Sequence, residues 1–371
     1  MNSITYVGMD VHTSNYTLCC YTIEEDAVFG IVKVEAESKN IIAYLKQIEK
    51  QRGKTHFVCG YEAGSLGYSL YRELADKGVD CIILAPSTMA YVQGKRIKTD
   101  KRDAENIARC LAYHQYKPVY VPDEKDDAVK EYLRMRNDIK QQLKSLKQQI
   151  IAYCTRQGFI YNGKNYWTEK HLKWLDDLNF ANEIYKETLY EYLVNYYTLL
   201  ERIEIYDKRI EEFSQKERYC ENVRKLLCFS GISINTAMSF LTEVGDFNRF
   251  ASARRFSAYL GLVPGEHSSS DNINRLPITK AGNSRLRKLL IEAAQHYGRG
   301  QIGKKSKILE SKQQGNPRDV IEYADKATER LKRKFYKIAL RSKHNIAKTA
   351  VARELACFIW GMMTNHYSPV S

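Results

Sequence analysis

The sequence predicts a mixed α/β sheet domain followed by an all-α region whose final part is strongly basic. Three observations carry this expectation. Up to about residue 122, short apolar and β-branched runs alternate with amphipathic helical stretches. From residue 124 to 215 proline is absent and glycine scarce, as in long helices. From residue 224 to 371 there are 26 Lys/Arg against 11 Asp/Glu, whereas residues 1–223 hold 32 against 33.

The first domain reads as follows. Ile4 to Met9 is an apolar run ending at Asp10, a buried strand. Residues 15–23 and 28–34 are rich in β-branched and aromatic residues, and the acidic turn Glu24-Glu25-Asp26 joins them as a hairpin. Residues 40–52 place Ile41, Ile42, Leu45 and Ile48 on one helical face. A fourth strand covers 56–60 and ends at Tyr61-Glu62. A helix over 65–77 is capped by Gly78, a fifth strand spans 81–84 and stops at Pro86, and a helix spans 100–113. The order βββ-α-β-α-β-α is that of an RNase H-like mixed sheet with helices on its faces.

Two long helices come next. Leu133, Ile139, Leu143, Leu146 and Ile150 keep helical spacing in the first. Tyr185, Leu189, Leu193, Tyr196, Leu200, Ile203 and Tyr206 keep it in the second, and the break falls near 158–165. An antiparallel pair is expected, either a dimerising coiled coil or a helical linker packed on its own chain. The boundaries read from these shifts are 1–122, 123–218 and 219–371.

Composition narrows the function classes. The net charge of +14, concentrated in the last part, favours a polyanionic partner, with a merely solubilising surface as the alternative. Nine cysteines show no C-x-x-C pair or zinc spacing, which fits small buried thiols in a reducing cytosol. Neither a signal peptide nor an apolar run of about 18 residues is present, so no membrane association is expected.

Four acids fall where the sheet domain could build a metal site. Asp10 ends the first strand and Glu62 the fourth, while Asp100 and Asp103 share one face at a helix start. Magnesium prefers hard oxygen ligands, and two such ions about 4 Å apart can serve both the attacking and leaving oxygens of a phosphodiester. Taken singly, each acid has a plainer explanation in solvation or helix capping.

In the basic region, residues 223–228 and 235–244 flank the turn Phe229-Ser230-Gly231-Ile232-Ser233. Such a pair reads either as a helix-hairpin-helix offering backbone N–H groups around Gly231 to a phosphate, or as an ordinary helical hairpin. After Pro264 comes Gly265-Glu266-His267-Ser268-Ser269-Ser270, a run that in isolation is simply a polar loop. His267 reads as a candidate base or as a surface residue. The stretch Lys280-Ala281-Gly282-Asn283-Ser284-Arg285-Leu286-Arg287-Lys288 supplies cations nearby. Arg255, and Arg333 and Lys334 in the penultimate helix, extend a surface suited to backbone rather than base contacts.

The segments Val-Gly-Met-Asp10, Tyr-Glu62-Ala-Gly and Lys-Thr-Asp100-Lys-Arg-Asp103-Ala resemble the Asp-Glu-Asp-Asp signature of the insertion-sequence-110 transposases, across nearly the whole chain. The resemblance implies a RuvC-like nuclease domain with Asp10, Glu62, Asp100 and Asp103 as magnesium ligands. It implies a nucleophilic serine at Ser269, with Ser270 standing where the family commonly has glycine, so Ser268 and Ser270 stay open as alternatives. It further implies DNA cutting and rejoining, a structured noncoding guide RNA and a homo-oligomer, dimeric at least and tetrameric in synapsis. Rival readings are a junction-resolving nuclease without serine chemistry, a non-catalytic DNA-binding protein, and an actin-like sugar kinase. The last lacks the later Gly-rich phosphate loops its class requires.

Overall fold

Five strands form the N-terminal sheet: β1 (Ile4–Val11), β2 (Asn15–Thr22), β3 (Ala27–Glu35), β4 (His56–Glu62) and β5 (Asp80–Leu84). The structure is a computed structural model and describes residues 3–90, 99–266 and 275–367. The strand order is β3-β2-β1-β4-β5, with β1 antiparallel to β2, β2 antiparallel to β3, and β4 parallel to both β1 and β5. This is the mixed arrangement expected of an RNase H-like sheet. Tight turns make the antiparallel part, and helical crossovers make the parallel part.

The side-chain alternation sorts two layers. Val7, Met9, Leu18, Cys20, Cys59, Tyr61 and Ile83 face one side, where they pack with Ile41, Tyr44 and Ile48 of α1 (Ser38–Arg52) and Leu70 and Leu74 of α2 (Ser69–Asp76). Tyr6, Cys19, Tyr21 and Leu84 face the other side, under Ala104, Ile107, Ala108 and Leu111 of α3 (Asp100–Ala112). Helix α2 is shorter than the expected span of 65–77. Gly67, at φ +60°, holds a turn ahead of it that a helix cannot contain. Gly78, at φ +73°, ends it as expected.

Strand β3 carries a bulge. Leu18 pairs with Val32 and Cys20 with Phe29, so β3 spends one residue more than β2. Gly30 takes the required positive φ of 64°, and its carbonyl accepts a 2.8 Å hydrogen bond from the buried Tyr44 hydroxyl.

The chain divides into two compact units, Met1–Val121 and Pro122–Ser371. In the second, α4 (Glu124–Arg156) is followed by α5 (Glu169–Asp176) and α6 (Glu183–Ser214). Helices α4 and α6 run antiparallel. Tyr132 stacks edge-on against Phe213, the Arg136 guanidinium grips Asp207 at 2.7 and 2.8 Å, and the Tyr153 hydroxyl donates to the Tyr185 carbonyl. The short α5 was not expected, since only a break was read there. It caps the far end of the pair with an aromatic cluster around His171.

Beyond them come α7 (Glu217–Leu227), α8 (Ile234–Val244), α9 (Ala253–Tyr259), the hairpin β6 (Pro264–Glu266) and β7 (Arg275–Ile278), α10 (Ser284–Ala294), α11 (Lys307–Gln313), α12 (Arg318–Ala339) and α13 (His344–Met363). Leu133 of α4 and Ile210 of α6 lie in the same core as Phe229, Phe240, Phe256, Leu290, Leu331 and Ile359, so the long helices are rooted in the basic region. Among the described residues, no helix is long and apolar enough to cross a membrane. All nine cysteines are free.

Candidate metal centre and basic surface

The metal centre begins with a glycine. Gly8 faces α3, and a Cβ built on it would stand 1.9 Å from the Ala104 carbonyl oxygen. Only the absence of a side chain lets α3 lie this close to β1. Asp10 is on the same face two residues on, and the first turn of α3, carrying Asp100 and Asp103, lies over that end of the sheet. The Thr99 side chain accepts from the Arg102 amide and fixes where the helix starts.

Strand pairing adds a transverse row of side chains. Met9 pairs with Tyr61, so Asp10 and Glu62 are neighbours one step further along. Asp10 pairs with Thr17, and Thr17 with Lys33. Pairs directly opposite in a ladder share a face, so Glu62, Asp10, Thr17 and Lys33 form one rung beneath the start of α3.

Distances show which of these meet. Asp10, Asp100 and His12 each offer a ligand atom within 4.8 Å of the others. His12 Nε2 is 3.2 Å from Asp10 Oδ2 and 4.0 Å from Asp100 Oδ1. Lys33 Nζ is 3.1 Å from Asp100 Oδ2. Glu62 and Asp103 stand outside that triplet, though Asp103 is near enough to act on Asp10. Burial pushes the Asp10 carboxyl up from its ordinary value, His12 opposes this, and the charges of Asp103 and Asp100 add to it. The Lys33 ammonium, hydrogen-bonded to Asp100, holds that carboxyl below its ordinary value. His12 was not singled out from sequence, although it lies two residues beyond Asp10 at the strand end.

The donor set suits a divalent cation. Carboxylates converge from a strand end and a helix start, and their mutual repulsion is what a cation would relieve. Thr17, opposite Asp10, is 2% exposed, and its Oγ1 finds no hydrogen-bond partner among the described residues. Its pairing with Asp10 sets this open hydroxyl on the face of the sheet that carries the acid.

In the second unit the turn 279–283 folds back on 259–263. The Thr279 amide donates to the Val263 carbonyl, that of Lys280 to Gly261, and that of Asn283 to Tyr259. These bonds set the base of the β6–β7 hairpin, in which Pro264 pairs with Ile278. Ser268, Ser269, Ser270 and His267 lie between its strands, outside the described residues.

Asn283 caps α10 by accepting from the Leu286 amide, and its Nδ2 donates to Glu243 Oε2 at 2.9 Å. Glu243, whose side chain is 7% exposed, is also gripped by the Arg134 guanidinium at 2.7 and 2.9 Å. One carboxylate thus ties together α4, α8 and the turn that leads into α10.

The remaining expected contact residues fall into two groups. Arg285 pairs with Asp138, Arg333 with Glu329 and Lys334 with Glu354, while Arg287 donates to the Leu260 carbonyl. Arg255, Lys280 and Lys288 project from the surface. Exposed ion pairs of the Arg285 and Arg333 kind are weak and exchange readily for a phosphate. The Arg287 bond to a main-chain carbonyl is structural. Gly231, at φ +83°, centres the turn between α7 and α8 and presses against the Ala293 backbone, where a Cβ would stand 2.5 Å from the carbonyl oxygen. Arg249 was not foreseen; it lies over the rings of Phe250 and Tyr259 at 4.4 and 4.9 Å.

Comparison with known proteins agrees with this geometry. Residues 7–157 match a family model described as a transposase, and residues 223–305 match one described as a transposase of the IS116/IS110/IS902 family. A candidate transposase of Sinorhizobium fredii is 36% identical over 363 residues, covering 96% of this chain and 88% of its own length. The transposase for insertion sequence element IS1533 of Leptospira borgpetersenii is 33% identical over 347 residues, covering 92% and 99%. That for IS1111A of Coxiella burnetii is 24% identical over 301 residues, covering 79% and 78%. With acids on a sheet end and a helix start, and with both family segments in order along the chain, the protein belongs to the IS110 family of insertion-sequence transposases.

Proposed function

We propose that this transposase cuts and rejoins DNA strands through a covalent serine intermediate at a magnesium-assisted site. In this reading residues 1–122 are the catalytic domain, 123–218 the connecting helices, and 219–371 the part that brings DNA and the serine. The observation that carries it is the convergence of Asp10 and Asp100 to within 4.8 Å of each other, made possible by Gly8.

Asp10, Glu62, Asp100 and Asp103 would hold magnesium, which when bound neutralises phosphate charge and stabilises a leaving oxygen. The Ser269 hydroxyl attacks the phosphorus. A P–Oγ bond forms, the bond to one deoxyribose oxygen breaks, and the serine proton ends on that oxygen. Reversal with a different deoxyribose hydroxyl rejoins strands without an external energy source, because the phosphodiester is conserved as a phosphoserine ester. Arg255, Lys280 and Lys288 are the exposed cations best suited to hold the duplex, with Arg285 and Arg333 able to trade their carboxylate partners for phosphates and Lys334 adding its charge from beside the buried Glu354. Gly231, Asn283 and Arg287 then shape the surface from within.

By resemblance, a structured noncoding RNA selects the sites and the protein acts as a dimer that pairs into a tetramer, in the bacterial cytosol. Exposed Tyr190, Val194 and Tyr197 along α6 give such an assembly an apolar face to use.

The test is a strand-transfer assay with wild type, Ser269→Ala and Asp10→Asn, with denaturing gels to trap a protein–DNA adduct. The adduct is expected with wild type alone. Full strand exchange by Ser269→Ala, with the same result for Ser268→Ala and Ser270→Ala, would leave a metal nuclease without serine chemistry. Unchanged recombination by Asp10→Asn would remove the metal site from the mechanism.

A further inference from the structure

The four-acid signature leaves out the imidazole that stands inside the site. His12 occupies the turn between β1 and β2, where its amide donates to the Asn15 carbonyl at 3.0 Å. That bond anchors the main chain, and the ring turns back over the strand end. Its Nε2 is 3.2 Å from Asp10 Oδ2 and 4.0 Å from Asp100 Oδ1. Two ligands at about 2.1 Å from one octahedral ion lie about 3 Å apart when adjacent and about 4.2 Å apart when opposite. The 3.2 Å pair matches adjacent ligands of one ion, and the ligand atoms of all three residues lie within 4.8 Å of one another. Thr17 Oγ1, buried and unpartnered among the described residues, lies on the same rung as Asp10.

We infer that His12 is a nitrogen ligand of the divalent cation held by Asp10 and Asp100, and that it biases the site toward manganese over magnesium. Manganese also favours oxygen ligands, but as a transition ion it is softer than magnesium and accepts an imidazole nitrogen in its shell more readily. Coordination uses the lone pair of neutral Nε2, with the ring proton on Nδ1. The inference rests on the reading that these acids hold a metal.

The experiment uses the full chain at one fixed pH above neutrality, titrated with Mn2+ and followed by continuous-wave and pulsed electron paramagnetic resonance. Wild type is expected to bind Mn2+ with a 14N coupling of imidazole type, replaced by a 15N coupling in protein labelled at histidine. His12→Ala loses the coupling and binds Mn2+ about tenfold more weakly, while Mg2+ competition changes little. His12→Gln, which keeps the size and polarity of the residue, must behave as His12→Ala does. Mn2+ bound in wild type and lost in Asp10→Asn, but without nitrogen coupling, overturns the His12 assignment and leaves the acid site standing. Mn2+ bound equally by wild type and Asp10→Asn overturns the metal reading itself, and with it this inference.

Discussion

Gly8 lies directly beneath the Ala104 carbonyl, so closely that a methyl group on Gly8 would stand 1.9 Å from that oxygen. The helix bearing Asp100 and Asp103 is therefore seated by the lack of an atom on β1. Gly8→Ala must lift α3 away from the sheet and draw both acids from Asp10. A destabilisation of about 1–3 kcal/mol is expected in urea unfolding, as for other overpacked cores. Divalent-cation binding should fall further than stability alone accounts for. Retention of wild-type Mn2+ affinity in a folded Gly8→Ala protein would show that α3 placement does not control the site.

Glu243 supplies the second test. Its carboxylate is nearly buried and answers both the Arg134 guanidinium and the Asn283 amide. Glu243→Ala takes the shared acceptor from the Asn283 amide and leaves the Arg134 guanidinium to Glu131, and a loss of about 1–3 kcal/mol is expected in urea unfolding. The Asn283→Ala change removes one amide and the α10 cap, costing about 1–2 kcal/mol. Because both act on one carboxylate, the double variant should cost less than the sum of the two. Strict additivity would mean that α8 and the 279–283 turn are not coupled through this group.

His171 gives a pH prediction. The Trp167 amide donates to its Nδ1 at 3.2 Å, so that nitrogen carries a lone pair, and burial lowers the ring pKa below the ordinary 6.5. As pH falls below about 6.5 the unfolded chain takes up the proton and the folded chain does not, so stability present above that value drains away until the folded ring itself titrates. His296, lowered by burial and by Arg299 and Lys312, acts with the same sign. Thermal unfolding temperature should therefore drop between pH 7 and 5, with Trp167 and Trp174 fluorescence changing first. His171→Gln, which can still accept from the Trp167 amide, should flatten the part of the slope that this fluorescence reports. An unchanged slope would place the titration elsewhere.

Much of the sheet domain was legible, for a simple reason. Buried strands such as Ile4–Val11 and His56–Glu62 must be apolar on both faces, and an acid at the end of such a run is conspicuous. The three-residue spacing of Asp100 and Asp103 set them on one face at a helix start, as α3 has them, whereas their reading as ligands came from the family signature alone. His12 and Lys33 were not legible. Lys33 enters the site through strand pairing, a register that neither segment shows alone, and His12 through the β1–β2 turn that folds its ring back over Asp10. The Arg134–Glu243–Asn283 tie was hidden likewise, since its members lie on α4, α8 and the turn before α10. Helix α5 escaped because Gly158 and Gly163 dominate the local reading and its eight residues are too few to show a period. Several basic residues read as phosphate contacts proved to have carboxylate partners on other turns and helices, Arg285 with Asp138 and Lys334 with Glu354 among them.

The extra residue at the β3 bulge decides a parity. Because the bulge absorbs it, Lys33 falls opposite Thr17 and reaches Asp100; the same sequence paired without a bulge would set Val32 opposite Thr17 and turn the ammonium to the other face of the sheet. The charge beside the acid cluster is therefore exposed to a frame-preserving insertion as much as to substitution. Gaining a single codon near Gly30, beyond the one residue that the bulge absorbs, would set Val32 opposite Thr17 and exchange a cation for an isopropyl group beside the acids while leaving every acid intact.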